Sequence, residues 1–297
     1  LGFLFSAHPG VMFISRFFSG IGASFYVVFS VWYSSFFSPS RASVAMGRLL
    51  FWGTLAQVAA HLCSGWLAQQ FGWLAPFMVG AAAALAAFLC WIAVPEDTAQ
   101  ETSRTDIKKM ASVALSGHLQ RVSFIGAVGM FATFAIVHTS LPVRAAALGA
   151  NRTGVGILMS LNMLFCSAGA FLIGSRIMAG CSMNAIIKWG LWLSGIALLA
   201  MSFMPSLWLL YIPVALHGLG RGLFFTVLMA YVLIPFSSEQ KATAMGIFQA
   251  VYAAGMMLGP FFAGAVVESA GPFWVFFMSG LGTIAVIPAS RRLKAAG

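Results

Sequence analysis

Five ionisable side chains sit inside long apolar stretches of this sequence: Arg16, His61, His138, His217 and Arg221. A charged group at mid-membrane depth costs roughly 2.5–3.5 kcal/mol on insertion scales, so each of the five asks for a role. A guanidinium offers a planar fork of donors that matches a carboxylate or a phosphate. An imidazole changes charge near neutral pH, which suits a proton relay. Arg221 stands between Gly220 and Gly222, four residues after His217, and that spacing sets both on one face of a helix. Together they can grip an anionic group. The opposite reading makes Arg221 structural, bonded to carbonyls of a neighbouring helix or paired with an acid on a helix outside the spans present in this sequence. No Asp or Glu occupies the middle of any apolar stretch, since Glu268 falls at the end of one. The interior is therefore expected to be cationic or neutral, which favours an anionic or zwitterionic solute.

Neutral polar groups extend the candidate set. Gln57 precedes His61 by one turn, Asn162 stands alone in its stretch, and Gln249 and Tyr252 share a face at i and i+3. His138 follows Phe131 and Phe134. The candidate solute-binding residues are Arg221, His217, His138, Gln57, His61, Asn162, Gln249 and Tyr252. Each can orient a solute or simply stitch helices together, and both readings stay open here. Arg16 lies close enough to the end of its stretch for its side chain to snorkel to the interface.

The surrounding elements follow from composition. Of 297 residues, 61% are hydrophobic and 7% charged, against roughly 25% charged in soluble domains. That excludes disorder, collagen, coiled coil and an ordinary water-soluble enzyme. Nine apolar segments approach the roughly 20 residues a spanning helix needs: residues 11–32, 49–69, 73–94, 122–141, 154–173, 185–204, 207–234, 244–267 and 273–289. A shorter apolar scrap covers residues 1–6. Hydrocarbon leaves backbone amides no water partner, so such spans must be helices, and the expected fold class is all-α, a polytopic membrane protein.

Sixteen basic and six acidic residues give a net charge of +10. Their placement points to a bilayer and not to nucleic acid. If the loops after Trp32, Val94, Ile173 and Ile234 share one side, that side gathers Arg41, Arg48, Arg104, Lys108, Lys109, Arg121, Arg176, Lys188 and Lys241, with Arg291, Arg292 and Lys294 in the tail. Arg144 and Arg152 are left on the other. The positive-inside bias puts the C-terminus in the cytoplasm and the protein in an inner or plasma membrane. Cys63, Cys90, Cys166 and Cys181 lack paired spacing, which points to packing residues and to neither a metal site nor a disulfide framework. Asn151-Arg152-Thr153 matches a glycosylation sequon, a signal short enough to arise by chance. The glycines from Gly20 to Ala23, and Gly255 with Gly259, are expected to allow close backbone packing. Trp66 and Trp73 are expected as interface anchors. No cofactor motif is present, and neither are the Gly-x-Ser-x-Gly, His-Glu-x-x-His or P-loop patterns of an intramembrane enzyme.

An internal repeat organises the chain. A shift of about 200 residues, the test for duplicated architecture, aligns Ser19-Gly20-Ile21-Gly22 with His217-Gly218-Leu219-Gly220, and Ala45-Met46-Gly47 with Ala244-Met245-Gly246. Gly65 then meets Gly264, Gly72 meets Gly271, and Phe77-Met78-Val79-Gly80 meets Phe277-Met278-Ser279-Gly280. The first three spans thus copy the last three. The expected organisation is an incomplete first bundle at residues 1–95, a cytoplasmic linker at 96–121 holding four of the six acids, and a six-helix bundle at 122–297.

This pattern resembles the major facilitator superfamily of transporters. Arg16-Phe17-Phe18-Ser19-Gly20-Ile21-Gly22 is similar to the family's fourth-helix motif, with Ser19 where Gln is usual. The stretch from Gly255 to Gly264, with Gly259 and Pro260, is similar to its Gly-Pro helix element. Two departures stand out: Gly174-Ser175-Arg176 lacks the Asp of the loop motif, and Ala60 and His61 stand where drug antiporters carry Gly-Pro. The resemblance implies a monomeric secondary transporter of a small organic solute, driven by a proton gradient through alternating access, with Arg16 in proton coupling. It also implies that two helices and most of a third are missing before residue 1. A non-transporting sensor or a truncated remnant is the alternative, and an intramembrane enzyme a distant third.

Overall fold

The computed structural model describes residues 2, 8–38, 41–92, 107–173 and 180–290. Among these the regular structure is helical throughout. The helices are α1 (Pro9–Ser35), α2 (Ala42–Phe71), α3 (Leu74–Ile92), α4 (Ile107–Ala114), α5 (Gly117–Ala135), α6 (Leu141–Ala147), α7 (Arg152–Leu172), α8 (Met183–Ser202), α9 (Leu207–Leu233), α10 (Ser238–Ala270), α11 (Pro272–Ala285) and α12 (Ile287–Ser290). A π-helical turn, Ile136–Ser140, joins α5 to α6. The scrap at 1–6 apart from Gly2, the acids Glu96, Asp97, Glu101 and Asp106, the Gly174-Ser175-Arg176 echo and the tail cations Arg291, Arg292 and Lys294 lie outside the described residues.

Among the described residues, eight helical segments are long and apolar enough to cross a bilayer, with α5 through α6 counted as one span, Gly117–Ala147, and α11 with α12 as another, Pro272–Ser290. The ninth expected span is present as α2, 30 residues long, but Gln57, His61, Gln69 and Gln70 dilute its apolar run and set it apart from the eight. Helices outrun the apolar stretches because their caps sit in polar flanks. Asn151, the residue of the sequon, caps α7 by accepting a hydrogen bond from Gly154 N at 2.8 Å. Ser237 and Gln240 form a capping box at the start of α10. The described end of the expected linker is helical: α4 fills residues 107–114, and Arg121 already lies on α5.

Pro142 explains the π-helical turn. It has no N–H for the carbonyl of His138, four residues back, so an α-helical bond is missing there. The chain widens instead, and Thr139 Oγ1 and Ser140 Oγ donate to the carbonyls of Phe134 and Ala135, five residues back, each at 2.9 Å.

Helix α9 runs through the interior, every residue from Gly220 to Leu233 being buried. Its glycines face two neighbours. A Cβ on Gly218 or Gly222 would collide with the backbone of Asn162 or Cys166 on α7, and one on Gly220 would meet Gly190 and Ser194 on α8. Gly255 and Gly259 bring α10 equally close to Ala127 and Phe131 on α5, as expected, but Gly20 and Gly22 on α1 have nothing within 4 Å among the described residues. Close approach lets backbones pack where lipid offers no hydrophobic contrast to drive association.

Helix α2 lies along α7. Gly65 interleaves with Gly156, Ser160 Oγ donates to the Val58 carbonyl at 3.1 Å, and Ser167 Oγ to that of Phe51 at 3.0 Å. At one end Arg152 donates to the Ala68 carbonyl at 3.0 Å while its guanidinium lies 4.6 Å above the ring of Trp73. Trp73 is thus both a mostly exposed aromatic and a platform. The second half of α1 and the turn after it reach across to α9 and α10: Tyr26, Val31 and Tyr33 of the helix, and Phe37 of the turn, pack on the core cluster that holds Phe225, Met229 and Met245. The first half, including Arg16, is largely exposed. Cys166 is buried as a packing residue should be, but Cys63, Cys90 and Cys181 are exposed; in a protein bathed in lipid an apolar thiol gains little from burial.

The two glycines aligned by the repeat, Gly72 after α2 and Gly271 after α10, have φ/ψ of 84°/176° and 89°/165°. Both conformations demand glycine, and both turn a long helix directly into a shorter, apolar one.

Candidate functional site

Burial of α9 carries His217 and Arg221 inward, to 1% and 7% exposure. Ser194 Oγ on α8 lies 2.8 Å from His217 Nδ1, while the buried Nε2 of the same ring has no partner. Arg221 Nη2 donates to the sulfur of Met163 on α7 at 3.0 Å, and its buried Nε has no partner among the described residues. No carboxylate lies within ion-pairing distance of Arg221 among the described residues. Glu239 and Glu268, the two described acids, are both exposed near the ends of α10. The carbonyl-capping alternative for Arg221 therefore has no support from the geometry, because a soft thioether takes the place of an oxygen acceptor.

Histidines from other elements converge on this guanidinium. His61 on α2 and His138 in the π-helical turn are both within electrostatic range of Arg221, as is His217. His138 is also within range of His61, of Arg16 on α1 and of His217. The five ionisable residues singled out from the sequence are thus connected through four elements. His138 is half-buried, and its ring sits against Phe134 with centroids 4.5 Å apart. The π-helical turn decides where this imidazole points, since one extra residue per turn rotates every side chain after it.

The neutral candidates divide. Asn162 is fully buried and donates to the Val214 carbonyl at 2.9 Å, tying α7 to α9, while its Oδ1 has no partner. Gln249 is 9% exposed and its buried Nε2 has no partner. Gln57 is exposed and turns back to the Gly53 carbonyl of its own helix at 3.4 Å. Tyr252 joins an aromatic layer with Phe225 and Phe248, at centroid separations of 5.5 and 5.2 Å.

Three further residues belong to this centre. Ser194 fixes His217, Met163 receives Arg221, and Tyr26 on α1 lies within electrostatic range of Tyr252 and Cys166, its hydroxyl 4.0 Å from the sulfur of Met229. Tyr26 had one signal in the sequence, a polar-tipped aromatic in mid-span. Ser194 and Met163 had none, because their importance comes from how α7 and α8 are set against α9.

Comparison with known proteins agrees with this architecture. The family described as Major Facilitator Superfamily matches residues 1–143 and 123–294. The chain is 34% identical over 80 residues to the multidrug transporter protein MdtP of Bacillus subtilis (strain 168), a match spanning 27% of this chain and 15% of that transporter. It is 26% identical over 274 residues to the uncharacterized MFS-type transporter YceJ of the same organism, over 88% of this chain and 67% of that one. Its fold is similar to the crystal structure of the human organic anion transporter MFSD10 (TETRAN), with a TM-score of 0.76 and 19% identity over 96% of this chain and 72% of that one. At that identity the likeness concerns the fold alone. A helical membrane protein matched along nearly its whole length by one family, this chain belongs to the Major Facilitator Superfamily of transporters.

Proposed function

We propose that the protein is a secondary active transporter of a small organic solute, driven by the proton gradient through alternating access. A bundle containing α1–α3 rocks against one containing α5–α12 about the α2–α7 contact. Solute is held by Arg221, His217, His138, His61, Gln57, Asn162, Gln249 and Tyr252, and Arg16 takes part in proton coupling. The protein works as a monomer in an inner or plasma membrane, with a cytoplasmic C-terminus. The observation that carries this reading is the buried Arg221 with no carboxylate beside it among the described residues, and with His61, His138 and His217 within electrostatic range. A charge so expensive to bury calls for a partner, and a solute that enters from outside can supply it. The histidines supply groups able to change protonation as the solute arrives. Drug export is not carried over from MdtP, whose match covers 80 residues, and Ala60 and His61 replace the Gly-Pro pair of drug antiporters.

The test is uptake by vesicles containing the protein, across a panel of labelled anionic, zwitterionic, neutral and cationic solutes, with and without an imposed pH gradient. Uptake of at least one solute should rise several-fold over protein-free vesicles and collapse on adding a protonophore. Uptake indifferent to the protonophore would remove proton coupling. No uptake of any solute would favour the sensor reading.

A further inference from the structure

His217 and Arg221 stand one helical turn apart on α9, and the buried Nε2 of the one and Nε of the other have no hydrogen-bond partner among the described residues. Ser194 Oγ occupies the other ring nitrogen of His217. When the serine hydroxyl donates to Nδ1, the neutral ring carries its proton on Nε2. The interior then holds two donors unanswered among the described residues, one a full positive charge, with the thioether of Met163 beside the guanidinium. Buried polar groups are nearly always satisfied, and two orphan donors side by side describe the complement of an acceptor pair on one anion.

We propose that the solute carries a carboxylate, one oxygen bound by the guanidinium of Arg221 and the other by Nε2–H of His217, with Ser194 as the positioning residue that sets the tautomer. This rests on the transport reading above and specifies its cargo. The carboxylate supplies the counter-charge that Arg221 lacks among the described residues. The thioether beside the guanidinium favours an organic anion over a strongly hydrated inorganic one.

Two measurements separate the cargo class from transport itself. Purified protein is heated with benzoate, benzenesulfonate, benzamide, benzylammonium or chloride at equal concentration. Benzoate should raise the unfolding midpoint by several degrees and benzenesulfonate by less. Benzamide, of the same shape without the charge, should leave the midpoint unmoved, as should benzylammonium and chloride. Arg221→Gln and His217→Phe should each remove the benzoate effect. Ser194→Ala should lower the benzoate-to-benzamide selectivity, and Ser194→Thr, which keeps a hydroxyl at that position, should retain it. Stabilisation by benzamide, benzylammonium or chloride equal to that by benzoate, or no stabilisation by benzoate, overturns the proposal. Uptake of labelled benzenesulfonate, which cannot cross lipid as a neutral acid, is followed in vesicles. The same vesicles are given the labelled anionic, zwitterionic, neutral and cationic panel. Selective stabilisation by benzoate in a protein that moves no member of the panel would sustain the anion site and overturn the transport reading. Uptake confined to neutral or cationic solutes would sustain transport and overturn the anion site.

Discussion

Arg221→Ala is expected to cut proton-gradient-driven uptake by about 100-fold. Truncating one partner of a buried, hydrogen-bonded charge pair costs about 2–5 kcal/mol, and each 1.4 kcal/mol is a factor of about ten. The variant should fold, which makes the loss interpretable. Among the described residues Arg221 has a thioether contact and an orphan Nε, so its removal deletes a buried charge and breaks no ion pair there. Its unfolding midpoint should equal or exceed that of the parent. Arg221→Lys keeps the charge and loses the fork, and about a tenfold reduction is expected because an ammonium cannot bind a carboxylate edge in two places. Flux in Arg221→Ala at the parent's rate would remove this residue from the site.

The second large effect concerns packing. Gly222→Leu should leave little folded protein, since even its Cβ collides with the carbonyl of Cys166, a backbone atom that cannot swing aside. Overpacking a tight core costs about 1–3 kcal/mol and sometimes more, and here the clash would force α7 away from α9 along their whole contact. Gly20→Leu is the matched control, with nothing within 4 Å of the position. It should purify as well as the parent. Size-exclusion profiles and thermal midpoints of the two variants decide the matter; equal behaviour would mean that α7 and α9 do not approach as closely as described.

These variants also mark how far the sequence could be read. Spanning helices were legible because apolar runs of about 20 residues have one solution in hydrocarbon. Gly72 and Gly271 were legible as a repeated pair before their shared backbone conformation was known. Helix α2 was harder, because its glutamines and histidine make its run less apolar than the others although it lies along α7. Gly20 and Gly222 look alike in a sequence, and only the neighbours of each helix distinguish an open face from a closed one. The centre was legible in its charges, since Arg221 and three histidines within apolar runs are conspicuous. It was not legible in its hydrogen bonds. Ser194 and Met163 are ordinary residues for a membrane helix, and nothing in the one-dimensional pattern links them to α9. The π-helical turn had Pro142 as its only sign, and a proline in a span is as compatible with a kink as with a widened turn.

The central claim is that α1 and α9 belong to bodies that move relative to each other, and that their contact between Tyr26 and Met229 opens during the cycle. The most direct test is the distance distribution between spin labels at Tyr26→Cys and Met229→Cys, in protein whose Cys63, Cys90, Cys166 and Cys181 are replaced by serine, reconstituted in lipid. The account predicts two populations, one short and one longer, whose ratio shifts when the pH is lowered or a bound anion is added. A single short distance, unchanged by pH and by anion, would contradict it.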